Sequence, residues 1–381
     1  MIKTTFAAAA ALLLIHPASA QIALSGNDNK QVLENGTVRT LPNPAPDNVT
    51  VLDLSATPPR IVATVQAPQS VVGPPLSVAI TPDERLGLAA SAQKIDPANP
   101  AAITPDNRLS VIDLRANPPA VIQTLEAGAG ASGVSVNRAG TLALVANRNA
   151  GTVSVFRIAD GRLAPVSTVN IGPPASGVSH AQFTPDGRFA LVTRDGDFMV
   201  TVLRVEGENV TPAGRDITVG IRPYAMGITR DGRWAVVGNV GRGSGDADTA
   251  SLISLAAEPF RVVDTITVGP TPEAVQVSPD NRHVAVTVMN GSNRPQGHPL
   301  RGRGQVVMLR IDDGRLVRVA SADVGSWAQG VVFNSEGNRI FVQNMVEREI
   351  QVLDFDGSTL TTRPERLRIE GGPSALRTAD R

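Results

Sequence analysis

The side chains best suited to chemistry in this chain are few and far apart. His180 stands in Ser179-His180-Ala181-Gln182, Asp195 in Arg194-Asp195-Gly196-Asp197, and Arg222 with Tyr224 in Arg222-Pro223-Tyr224. Glu273 follows in Pro272-Glu273-Ala274, and Trp327 and Gln329 in Trp327-Ala328-Gln329. An imidazole titrates near neutrality and suits a general base or a ligand donor. A guanidinium grips a carboxylate or phosphate through a forked pair of hydrogen bonds, and an indole offers a stacking face. As a set these types suit a small anionic molecule. His180 and Arg222 are the catalytic candidates; Tyr224, Glu273, Trp327, Gln329 and Asp195 are the binding candidates. The competing expectation for His180 is a ring that fills space and is satisfied by backbone groups, since the sequence shows no charge partner for it.

Other chemistries find less support. The chain has no cysteine and four histidines. With His16 in an N-terminal leader, His180, His283 and His298 remain, and none of them forms a His-x-x-x-His pair, so no metal and no cofactor is expected. Gly-x-Ser-x-Gly, the serine-hydrolase elbow, is absent. Gly241-Arg242-Gly243-Ser244-Gly245-Asp246-Ala247-Asp248 pairs carboxylates that could meet calcium, but it lacks the further acidic ligands of such loops and reads better as a solvated loop. Lys+Arg 35 against Asp+Glu 35 leaves no net field for nucleic acid or an anionic membrane.

Residues so distant in sequence meet only if a repeat brings them together. An apolar-apolar-variable-apolar strand pattern recurs seven times, from Val51-Leu52-Asp53-Leu54 to Val352-Leu353-Asp354-Phe355. From the second copy onward it is preceded by a strand, a tight turn and another strand; Thr184-Pro185-Asp186-Gly187-Arg188 and Ser278-Pro279-Asp280-Asn281-Arg282 are typical turns. The C-terminal Pro373-Ser374-Ala375-Leu376-Arg377-Thr378 repeats the inner-strand pattern and then stops, whereas the N-terminus begins with an outer-type strand, Ile22-Ala23-Leu24-Ser25. The expected fold is all-β: a seven-bladed β-propeller of four-stranded antiparallel blades, closed by a blade shared between the termini. In that fold Ser77, Gly133, His180, Ala225, Ala274, Gly330 and Ala375 align, with one imidazole among small residues. Three insertions, 92–107, 240–249 and 290–304, belong to the same face as these inner-strand lead-ins. The third carries Arg294, His298, Arg301 and Arg303, either a local basic lip or a solvated loop.

Residues 1–20 have the layout of a secretory signal: Lys3, an apolar run from Phe6 to Ile15, then Ala18-Ser19-Ala20. The expected mature domain is 21–381, periplasmic or secreted, with no membrane insertion after cleavage.

Ala143-Leu144-Val145-Ala146-Asn147, Ala235-Val236-Val237-Gly238-Asn239 and Ile340-Phe341-Val342-Gln343-Asn344 resemble the YVTN repeats of the lactonase-like propeller superfamily. The segment from Ser179 to Arg188, followed by Arg194-Asp195-Gly196-Asp197, is similar to the central motif of the 6-phosphogluconolactonase-type branch. The resemblance implies a histidine at the lip of an inner strand. In the next blade the family pattern is kept at Arg222 and Asn239 but lost where a second histidine and a glutamate would stand. The leading expectation is an exported YVTN-type propeller that binds a small anionic molecule or a periplasmic protein at its channel mouth. The alternative is a periplasmic lactonase-like hydrolase of sugar-acid lactones using His180 and Arg222. A third reading, a structural envelope protein, would have no ligand pocket.

Overall fold

The computed structural model of the protein describes residues 21–380, so the expected leader lies outside the described residues. Seven four-stranded antiparallel sheets form a closed ring. Blade 1 unites the C-terminal Gly372–Thr378, innermost, with Ile22–Asp28, Asn48–Asp53 and Arg60–Gln66. The inner strands of blades 2 to 7 are Val78–Ile80, Ala131–Val136, Val178–Phe183, Pro223–Ile228, Pro272–Val277 and Ala328–Phe333. The termini therefore share a blade as the sequence implied. Ile22–Asp28, however, is the second strand of that blade and not an outer one, because it pairs with Gly372–Thr378 on one side and Asn48–Asp53 on the other.

The burial gradient follows the residue pattern. Inner and second strands are buried on both faces, since each sheet is covered by a neighbour on either side. Outermost strands such as Ala120–Glu126 alternate exposed and half-buried residues. Each contact between adjacent blades has its own cluster, among them Leu144, Val155, Val178 and Val192 between blades 3 and 4 and Leu52, Val332, Phe341 and Ile350 between blades 7 and 1. Turn residues lock the strands: Thr184 Oγ1 donates to Asp186 at 2.6 Å and accepts from the Phe189 amide at 3.1 Å. At the other end of the second strands Asn147 and Asn239 donate to hydroxyls of the third strand, at 2.9–3.0 Å to Thr152 and Ser154 and at 3.0 Å to Thr249 and Ser251. Asn239 is thereby used as a clamp between strands.

Four insertions rise on the channel-mouth face. Besides the three expected, residues 29–47 of blade 1 form a hairpin, Gln31–Glu34 with Thr37–Thr40. Its tip meets the 290–304 loop, where the Gln296 amide donates to Asn35 at 2.7 Å, and Arg294 donates to the Gly243 carbonyl at 2.8 Å. No helix among the described residues is long and apolar enough to cross a membrane.

Candidate functional site

The connection between blades 1 and 2, residues 67–77, decides the shape of the mouth. Leu76 joins Ala225, Val236 and Val275 of blades 5 and 6, across the ring from its own blade. Its carbonyl accepts from Val134 of blade 3 at 2.9 Å, and the Pro75 carbonyl from Leu376 of blade 1 at 3.3 Å. Val71 packs with Met289, Trp327 and Met345 of blades 6 and 7. The segment therefore crosses the channel and plugs it.

A buried ionic network holds this crossover. Lys30 Nζ lies 2.8 Å from Asp47 and 3.3 Å from Asp28, and it donates to the Gln69 carbonyl. Asp28 accepts from the Val71 amide at 2.9 Å, and Asp47 from the Gln69 amide at 3.2 Å. Burial raises the Asp28 carboxyl above its ordinary range, and the Lys30 charge opposes the rise.

On the side of blades 3 to 6 the crossover leaves a charged group of residues. Arg148 donates to Asp195 at 2.7 Å and to the Ser179 hydroxyl, and its guanidinium lies 5.8 Å from the Tyr224 ring centroid. Arg222 approaches the same Asp195 oxygen at 3.8 Å, with its side chain partly exposed and its backbone at φ 57°. Gly177 is required beneath this group: a Cβ there would fall 1.9 Å from Asp195 Oδ1. The Glu273 side chain, on the neighbouring blade, belongs to a residue that is 7 % exposed and has no ion pair among the described residues. Burial pushes its carboxyl up to about 8, against the pull of Arg222. Burial, and then the nearby Glu273 charge, raise the Tyr224 hydroxyl, which stays a neutral donor.

The structure thus gathers Asp195, Arg222, Tyr224 and Glu273 and separates the other candidates from them. Trp327 faces Gln31, Leu33 and Met345 in a pocket of about 120 Å³ on the blade 7 side of the crossover. Gln329 is buried, with Oε1 lacking a hydrogen-bond partner and its carbonyl accepting from Thr287 at 2.7 Å. His180 is fully buried in the channel, with neither ring nitrogen hydrogen-bonded. Burial and the Arg377 charge lower its pKa to about 3, the Gln182 amide opposing weakly, so the ring is neutral. Its space is made by Gly133 of blade 3, where a Cβ would lie 2.4 Å from Nδ1. The carboxylate of Asp195 is taken by the two arginines, and Asp197 pairs with Arg194.

Arg148 and Lys30 escaped the sequence reading. A signal for Arg148 was available: the residue after each second strand is Arg148, Asp195, Val240, Met289 and Met345 in blades 3 to 7, charged only in blades 3 and 4, whose two residues pair at the site. Among the described residues no group of three His, Cys, Asp or Glu is placed to hold a metal ion. In the 240–249 loop Asp248 instead accepts from the Thr271 amide at 2.9 Å.

The arrangement favours an anion. Two guanidinium groups face the Asp195 carboxylate, and Glu273, pushed up to about 8, is mostly protonated at neutral pH, which sets guanidinium, hydroxyl and carboxyl donors side by side.

Comparison with known proteins fits this architecture. No curated protein matches the sequence. Among solved structures the chain is similar to a provisionally assigned 6-phosphogluconolactonase from Bacteroides uniformis ATCC 8492, at 16 % identity and TM-score 0.72 over 94 % of this chain and 99 % of that one. It is also similar to the periplasmic gluconolactonase of Pseudomonas aeruginosa, at 18 % identity and TM-score 0.67 over 95 % and 99 %. A third likeness is to Kuenenia stuttgartiensis hydrazine synthase, at 17 % identity and TM-score 0.63 over 81 % and 90 %. At these identities the structural likeness establishes the fold alone. Residues 115–249, which hold His180, Asp195, Arg222 and Tyr224, match the family described as Lactonase, 7-bladed beta-propeller. With the ring completed on either side of that segment, the chain is a seven-bladed β-propeller that resembles the Lactonase family over residues 115–249.

Proposed function

We propose that the channel mouth binds a small, oxygen-rich anion of the sugar-acid kind. The observation that carries this reading is Arg148 and Arg222 converging on a single carboxylate, Asp195, beside a protonated Glu273. Arg148 is spent on Asp195 and Ser179, so it fixes the floor, while the partly exposed Arg222 is the hand that meets the ligand. Tyr224 and Glu273 add donors at the same rim. A periplasmic protein partner would meet the same face through the insertion loops, and export rests on the layout of residues 1–20.

Hydrolysis of a sugar-acid lactone with His180 and Arg222 is the second reading, supported by the family match over 115–249. In this reading Arg222 polarises the lactone carbonyl. Because His180 is enclosed and weakly basic, Glu273 is the better-placed proton carrier at neutral pH.

Calorimetric titration of the purified protein with gluconate, beside pH-monitored hydrolysis of gluconolactone, tests both readings. Arg222→Ala is expected to weaken gluconate binding at least about tenfold. Loss of turnover in Glu273→Gln but not in His180→Gln would assign the proton transfer to Glu273. Gluconate binding that is unchanged in Arg222→Ala, or absent from the wild type, overturns the sugar-acid reading.

A further inference from the structure

The opposite mouth of the channel, on the tight-turn face, carries an unbalanced positive charge. Arg377, on the inner strand of blade 1, is 8 % exposed and forms no hydrogen bond or ion pair among the described residues. Burial holds its guanidinium below the usual arginine range, with Asp380 as the countering charge. Arg138 reaches the same region from the turn of blade 3, donating one Nη1 hydrogen bond to the Arg230 carbonyl at 2.8 Å. Its Nε and Nη2 atoms are buried without hydrogen-bond partners, and Asp380 stands 4.0 Å from Nη2.

A cavity of about 30 Å³ lies here, with Arg377, Arg230, Asp380, Gln182 and Gln276 among its walls. One carboxylate thus stands between two guanidinium groups, of which Arg377 is buried and Arg138 partly exposed, and a buried charge without a full counter-charge is costly. Water in the cavity would hydrate these groups without cancelling the surplus. The space suits one or two particles of water size and no larger ligand. The Gln182 Oε1 is also buried without a partner, and with its amide turned about, that side chain offers an N–H donor to the same space.

We propose that a single chloride-sized inorganic anion occupies this cavity against Arg377, which Asp380, shared with Arg138, leaves incompletely balanced. This site is separate from the candidate site at the loop face. It completes the closure of the ring, because Arg377 belongs to the strand that joins the two ends of the chain.

Crystals of the protein soaked in bromide, with anomalous diffraction, test the assignment directly, and thermal unfolding in sodium chloride against sodium methanesulfonate, whose anion is too large for the cavity, at equal ionic strength tests its energetics. The expected results are an anomalous peak in the cavity and a higher midpoint in chloride, both lost in Arg377→Met. If that variant fails to fold, Asp380→Asn decides: with the competing carboxylate gone, the half-saturating halide concentration should fall roughly tenfold. An empty cavity at saturating bromide, or a halide response unaltered by Asp380→Asn, overturns the proposal.

Discussion

Two buried titratable residues, His180 and Glu273, impose opposite pH dependences on stability. His180 has its folded pKa lowered from 6.5 to about 3, so the unfolded chain takes up a proton that the folded one refuses. Its contribution is complete above pH 6.5 and is lost as pH falls towards about 3. Glu273 is raised from 4.5 to about 8, so it favours the folded state fully below pH 4.5 and progressively loses that contribution as pH rises to about 8. Each contributes a slope of up to ~1.4 kcal/mol per pH unit within its window. Denaturant unfolding across pH 3 to 9 checks this expectation. Glu273→Gln should remove the decline towards pH 8, and His180→Gln should flatten the acid limb below pH 4.5 and unmask the Glu273 decline between pH 4.5 and 6.5, where the two slopes oppose each other. An alkaline decline that persists in Glu273→Gln would show that another group causes it.

At the scale of the element, residues 67–77 determine which side chains meet. Leu76 is 2 % exposed in an apolar cluster, so Leu76→Ala should cost about 2–5 kcal/mol. Lys30→Met leaves Asp28 and Asp47 without their cation and should cost about 3–5 kcal/mol. The two variants separate by hydrogen exchange. Lys30→Met should speed exchange of the Gln69 and Val71 amides, which the two carboxylates hold, while the inner-strand amides of blades 3 to 5 stay protected. Uniform deprotection would mean that the crossover has no independent anchoring.

At the scale of the molecule, stability rests on closure. Gly372–Thr378 covers the inner edge of Ile22–Asp28, and Gln343 of blade 7 ties the seam by donating to Ser25 and to the Ala375 carbonyl, both at 2.8 Å. Truncation after Gly371 would expose the unpaired edge of a sheet whose second and third strands are buried on both faces. The truncated protein is expected to aggregate on expression, and adding a synthetic peptide of residues 372–380 during refolding should restore soluble, cooperatively unfolding protein. A soluble truncated chain with the wild-type melting midpoint would show that closure contributes nothing.

The repetition of strand and turn determined the fold. Turn residues such as Thr184-Pro185-Asp186-Gly187 act within a few positions of themselves, and apolar runs record burial directly, so seven blades and their shared closure were legible without coordinates. The likeness to the Lactonase family was legible for the same reason, in local motifs around Ser179 and Asp195 that fall within the matched residues 115–249. Ile22–Asp28 was misplaced within its blade because a strand buried on both faces looks the same whether it lies second or third. The site itself was partly visible: the alignment of inner strands put Arg222, Tyr224 and Glu273 at one mouth. Only the tertiary structure divided that mouth, because the division is made by the 67–77 crossover, held from far along the chain by Lys30, Asp28 and Asp47. The crossover puts Trp327 and Arg222 on opposite sides, and the packing around His180 encloses its ring. Which charges pair and which carboxyl keeps its proton depends on distances between blades and on exclusion of water, quantities that sequence spacing does not carry.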